Sequence, residues 1–180
     1  MANELSSAFP VLGIAAWSGT GKTTLLEKLL PLLGEQGLKV AVIKHAHHSF
    51  EVDQPGKDSF KLRSAGAAPV LVASRQRFAL MQETPKQEEP DLVQLIAMME
   101  PHKPDLVIVE GFKSWPIPKL VLYRDGIGDP AILTGPWVEA VAIGPSTAIE
   151  LPVSVSQLDL DDSDAIARWI VAWTSAKMEP

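Results

Sequence analysis

Near the start of the chain, Ala16-Trp17-Ser18-Gly19-Thr20-Gly21-Lys22-Thr23-Thr24 stands between an apolar run, Val11 to Ala16, and a stretch with Leu25, Leu26, Leu29, Leu30 and Leu33 at helical spacing. The residues follow the pattern G-x-x-x-x-G-K-[ST], with Ala16 in place of the first glycine. A strand that runs into such a loop and a helix that leaves it make a phosphate-binding loop. Gly19 and Gly21 let the backbone turn its N–H groups inward, and the helix adds the positive end of its dipole. Lys22 supplies a point charge for β- and γ-phosphates, and the Thr23 hydroxyl a ligand for Mg²⁺. A Cβ at position 16 costs little where the backbone is extended. Ser18, Gly19, Thr20, Gly21, Lys22, Thr23 and Thr24 are therefore the expected phosphate contacts, and a nucleoside triphosphate is the implied ligand.

The rest of the chain alternates apolar β-rich runs with helical patterns, as in a sheet wrapped by helices. Strands are expected at 11–16, 38–44, 106–109, 120–123 and 138–143. The run 38–44 lacks polar alternation and reads as a parallel strand covered on both faces. Helices are expected at about 22–36, with a kink or restart near Pro31, and at 57–65, 91–100 and 164–176. Residues 69–74 and 78–83 read as a hairpin, and 126–136 as a surface loop. The expected class is α/β: a three-layer P-loop fold, its mostly parallel central sheet flanked by helices on both faces, with a β-hairpin extension. With no repeat and no clear linker in 180 residues, a single nucleotide-binding domain over 1–180 is expected.

Composition narrows the function. Net charge is −6, from 16 Lys+Arg against 22 Asp+Glu, which argues against broad nucleic-acid binding through phosphate. Cysteine is absent, so thiolate metal sites, disulfides and Cys nucleophiles are excluded. No segment offers the roughly 18 apolar residues of a membrane span, and a soluble, cytoplasmic protein is expected.

A phosphate-binding loop usually works with a carboxylate at the end of another buried strand. Glu110, after Leu106-Val107-Ile108-Val109 and before Gly111, fits that role, with Gly111 allowing close backbone approach to the site. Asp53, in the polar loop after the second strand, is a second Mg²⁺ or water-positioning candidate. It reads equally well as a turn aspartate before Pro55-Gly56. His45, His47 and His48 cluster at the carboxyl end of the second strand, the edge where ligands bind in open α/β sheets. A phosphate-side or loop role for His45 and His47 ranks above transition-metal binding. Arg75, Arg77 and Arg124 are the arginines most expected to face a ligand, although three scattered cations are more often solvated. Asp125, at a strand end, could accept from the N1 and N2 hydrogens of guanine, although many strand-end aspartates do nothing of the kind. The acidic run 159–164 reads as the start of the last helix, with Asp162 or Ser163 as cap.

Taken together, the stretches at 15–24, 43–48 (Ile-Lys-His-Ala-His-His), 55–59 (Pro-Gly-Lys-Asp-Ser) and 109–113 (Val-Glu-Gly-Phe-Lys) resemble the molybdopterin-guanine dinucleotide biosynthesis adapter family. The likeness continues through 65–68, 77–81 and 121–126 into the final helix. It implies a cytoplasmic homodimer that binds GTP with Mg²⁺, hydrolyses it slowly and assists a separate guanylyltransferase that joins GMP to molybdopterin. Other cofactor-biosynthesis proteins and molybdopterin itself are further implied partners. By the same resemblance Lys22, Glu110 and Asp53 serve catalysis, and Thr23, Glu110 and Asp53 the Mg²⁺. GTP rather than ATP rests on the resemblance, because the only asparagine is Asn3 and an Asn-Lys-x-Asp guanine reader is ruled out. Two other readings stand beside the adapter: a small-molecule P-loop kinase drawing on Arg63, Arg75 and Arg77, and a metal-insertion GTPase using residues 45–48.

Overall fold

Six strands form one parallel sheet in the order β2-β5-β1-β6-β7-β8. They are β1 (Val11–Ala16), β2 (Val40–Lys44), β5 (Leu106–Glu110), β6 (Lys119–Tyr123), β7 (Val138–Ile143) and β8 (Ser156–Asp159). The structure, a computed structural model, describes residues 7–46, 50–84, 89–144, 147 and 150–178. The chain divides into two compact units, residues 1–45 with 91–180, and residues 46–90.

In the first unit the strand period of two sorts the core. Leu12, Ile14 and Ala16 of β1, Leu106 and Ile108 of β5, and Leu120 and Leu122 of β6 point to one face. There they meet α1 (Lys22–Glu35) and α4 (Ser163–Met178) through Leu25, Leu26, Leu29, Leu33, Ile166, Ile170 and Trp173. On the other face Val11, Val107 and Val109 pack against Leu92 and Ile96 of α3 (Leu92–Ala97), and Val121, Tyr123 and Val141 against Leu133. Three layers result, a parallel α/β sheet with helices on both sides, as a phosphate-binding loop requires. Leu29 is fully buried, so Leu29→Ala is expected to cost about 2–5 kcal/mol. Urea unfolding monitored by circular dichroism checks this; a loss below 1 kcal/mol contradicts the packing described.

The second unit holds α2 (Asp58–Ser64) and the antiparallel hairpin β3 (Val70–Ala73) with β4 (Phe78–Met81). Arg63 is its electrostatic hub. Its guanidinium lies 2.6 Å from Glu51, 2.7 Å from Glu83 and 3.8 Å from Asp53. The hydrogen bond that it donates to Glu83 leads the effects that hold it above an ordinary arginine pKa.

Three expectations are corrected, and one strand was not expected at all. β2 is an edge strand rather than one covered on both faces: of its residues only Ile43 is buried, and Val42 is 39% exposed. An apolar run reports β propensity but not its place in a sheet. β8 was not anticipated, because Ser-Gln-Leu-Asp is too polar to read as a strand; its parallel pairing with β7 supplies what its sequence lacks. Helix α1 runs as one element through Pro31 rather than restarting. The stretch expected as a loop at 126–136 contains a 3-10 turn, Pro130–Thr134, capped by the Asp129 carboxylate and anchored by buried Leu133. The cap of α4 is as expected, with Asp162 accepting from the Ala165 N–H at 2.8 Å. No described helix is long and apolar enough to cross a membrane.

Candidate functional site

β1 is central, between β5 and β6, and its carboxyl end opens into the loop. Ala16 is the last strand residue, paired with Leu122; extended backbone there explains why alanine serves in place of glycine. Gly19 and Gly21 take φ of 85° and 100°, with open space where a Cβ would stand. The need for glycine at both is therefore conformational. Gly21 caps α1 without a side-chain hydrogen bond, and the first turn contains no acid. The helix thus presents unsatisfied N–H groups and a positive dipole end with nothing of its own to neutralise them. Ser18, Thr23 and Thr24 are exposed around this opening, whereas Thr20 is buried.

Glu110 ends β5 beside Ile14 of β1 and Lys44 of β2. It is buried, with Lys22 at 3.5 Å and Lys44 at 3.4 Å from its carboxylate oxygens. Two ammonium groups on one carboxylate leave a net positive charge beside the loop. Lys113 adds a third: it lies 4.5 Å from the Trp17 ring centroid. Burial first, and then the charge of Lys22, push its pKa down. Such a cluster of like charges is relieved by an anion. The donor set also suits Mg²⁺, which favours one or two carboxylates with phosphate oxygens: Thr23 offers a hydroxyl and Glu110 a carboxylate.

Beyond Glu110 the chain turns sharply, with Gly111 at φ 95° and Phe112 at φ 50°. A Cβ on Gly111 would stand 2.8 Å from that of His45, so glycine here permits the close approach of His45. The His45 N–H donates to the Glu110 carbonyl at 2.8 Å, and its ring stacks on Phe112 at 4.5 Å. His45 is thereby tied to the Glu110 turn, while His47 and His48 lie outside the described residues. Asp53 belongs to the second unit, where it accepts from Ser59 Oγ at 2.7 Å. Asp125 is exposed after β6. Of the expected site residues, the structure brings Lys22 and Glu110 into direct contact and ties His45 to them. Arg63, expected as a phosphoryl-transfer cation in the kinase reading, is instead committed to Glu51, Glu83 and Asp53.

Sequence reasoning missed how the loop is braced. Arg124, expected to face a ligand, donates from Nε to the Thr20 carbonyl at 3.3 Å and pairs with Asp161 at 2.6 Å. That hydrogen bond holds the Asp161 carboxyl below its usual range. Trp17 Nε1 donates to the Asp129 carbonyl at 3.0 Å, and a Cβ on Gly128 would stand 2.2 Å from Trp17 Cγ. Gly128, at φ 73°, therefore sets the seat of the indole. Gly128→Ala is expected to lower stability by about 1–3 kcal/mol through backbone strain and displacement of Trp17. An unchanged melting temperature contradicts this seating. Partners so distant in sequence leave no spacing signal.

Comparison with known proteins adds the decisive observation. The profile described as molybdopterin guanine dinucleotide synthesis protein B matches residues 11–143, from the first strand to the end of β7. The chain belongs to this family. The molybdopterin-guanine dinucleotide biosynthesis adapter protein of Escherichia coli strain K12 is 49% identical over 165 residues, spanning 91% of this chain and 93% of that protein. Its namesake from Haemophilus influenzae is 40% identical over 169 residues, spanning 94% and 92%. Among solved structures, Bacillus subtilis MobB superposes with a TM-score of 0.74 at 25% identity, over 92% of this chain and 98% of that one. A Bacillus stearothermophilus MobB homologue gives a TM-score of 0.70 at 24% identity, over 92% and 98%, and shares the fold. The phosphate-binding loop and the Glu110 turn both fall within the stretch matched by the family profile.

Proposed function

We propose that this protein is a GTP-binding adapter in the synthesis of molybdopterin guanine dinucleotide. It assists a partner guanylyltransferase that attaches GMP to molybdopterin, and hydrolyses GTP only weakly. The observation that carries this reading is the pairing of Lys22 with buried Glu110 beside an uncapped helix N-terminus, in a chain of this family. On GTP binding Lys22 would leave Glu110 for the β- and γ-phosphates, Ser18 to Thr24 would enclose them, and Thr23 and the released Glu110 would hold Mg²⁺. The ion supplies charge neutralisation on the phosphate oxygens. Slow turnover follows from the arginine at the loop: Arg124 is spent on the Thr20 carbonyl and Asp161. The ~10³–10⁵ in rate that an arginine finger provides is then missing.

The reading includes a homodimer in the cytoplasm, one P-loop domain, a Mg²⁺- or water-ordering role for Asp53, phosphate-side roles for His45 and His47, and a guanine contact for Asp125. Asp53→Asn and Asp125→Asn test the two carboxylates; unchanged turnover and unchanged GTP affinity, respectively, remove them. The adapter role is tested by adding the purified protein to a guanylyltransferase with GTP and molybdopterin. Faster GMP transfer is expected, and the gain is lost with Lys22→Ala. Equal rates with and without the protein overturn it.

A further inference from the structure

Among the described residues, Lys119 is the one lysine that the nucleotide site does not use and the sheet nevertheless buries. It opens β6, is 6% exposed, and faces the side of the sheet opposite α1 and α4. Its ammonium donates to the carbonyls of Trp115 at 2.6 Å and Ile117 at 3.0 Å. Among the described residues it has no ion pair, and burial pushes its pKa down. Gly13 makes room for it: a Cβ there would stand 3.3 Å from Lys119 Cγ and 3.1 Å from Ile117 Cδ1. A buried cation with no counter-charge is costly, and two neutral carbonyls offset only part of that cost.

This lysine lies in the wall of a cavity of about 310 Å³ between the 111–118 and 124–137 connections, over β1 and β6. Trp115, Trp137, Val121 and Val138 supply its apolar lining, and Lys113 and Lys119 its charge. Trp137 is held at φ 69°, a conformation rare for a bulky residue, and is 48% exposed. The Lys119 N–H donates to its carbonyl at 2.7 Å. Strained backbone of this kind gathers at ligand clamps. The cavity is at the lower end of the roughly 300–1,000 Å³ of small-molecule sites, which suits one fused ring system and excludes a dinucleotide. Indole rings favour a flat partner, and two cations without a carboxylate in the lining favour a negative one.

We propose that this pocket is a second ligand site, which takes a planar anionic heterocycle with its ring along Trp115 and Trp137 and its negative group on Lys119. The site is separate from the phosphate-binding loop, although Lys113 borders both.

Equilibrium dialysis of the full chain with pterin-6-carboxylate, and with uncharged pterin as control, tests this directly. One saturable site is expected, with the carboxylate held about tenfold more tightly than the neutral ring. Lys119→Met erases that preference, Trp137→Ala weakens both probes, and Val138→Phe fills the cavity and removes binding while Mg²⁺-GTP still binds. Where Lys119→Met does not fold, Trp137→Ala and Val138→Phe carry the test. Absence of binding overturns the proposal, as does binding indifferent to these substitutions. Binding that GTP displaces and Lys22→Ala abolishes also overturns it, because the probe would then occupy the phosphate loop.

Discussion

Lys22→Ala is expected to lower GTP affinity by about ten- to a hundredfold while leaving the fold intact. In the proposed reading the loss is large because Lys22 is the charge that the loop commits to the nucleotide. A charge-assisted contact to phosphate in a partly desolvated site contributes about 1.5–3 kcal/mol, and the helix N-terminus alone cannot replace it. The fold survives because Lys22 stands at the first turn of α1, outside the core, and alanine is a better helix former there. Glu110 also keeps Lys44 at 3.4 Å, so no buried carboxylate is left without a cation. Calorimetric titration with Mg²⁺-GTP, alongside circular dichroism, separates the two effects. Unchanged affinity in a folded variant removes the phosphate-binding loop from the account.

Glu110→Gln is expected to act on rate more than on affinity. The amide keeps the shape and the hydrogen-bonding reach of the carboxylate but not its charge. Without that charge Lys22 and Lys44 face each other uncompensated, and phosphate becomes their best partner. Affinity for GTP then holds or rises, whereas the dependence of hydrolysis on Mg²⁺ and on an ordered water is lost. A decrease of about a hundredfold in single-turnover hydrolysis is the expected size for removing a group with that role. An unaltered rate takes Glu110 out of the site.

The strand-loop-helix at 11–35 was legible because every layer of signal agreed: an apolar strand, glycines at the two positive-φ positions, a lysine and a hydroxyl at the helix start, and leucines on one face. Glu110 was legible for a related reason, since four apolar residues ending in a carboxylate leave little else for a buried strand to be. β8 was not, because a polar edge strand derives its order from the neighbour it pairs with. Nor were the Arg124–Thr20 and Trp17–Asp129 contacts, which join residues more than a hundred positions apart. Lys119 carries no signal of its own in the sequence, and Lys113 stands out only as part of the 109–113 stretch. Only the turn at Gly111 and Phe112, the space left by Gly13 and the crossing of two connections over β1 turn one into a loop cation and bury the other. Asp53 shows the converse, a plausible site residue by type whose partners in the structure, Ser59 and Arg63, lie in its own unit.

The most direct measurement is calorimetric titration of the purified protein with GTP and with ATP, each in the presence of Mg²⁺. Saturable binding of GTP with a clear preference over ATP is the expected result. Equal affinities, or a preference for ATP, would contradict it.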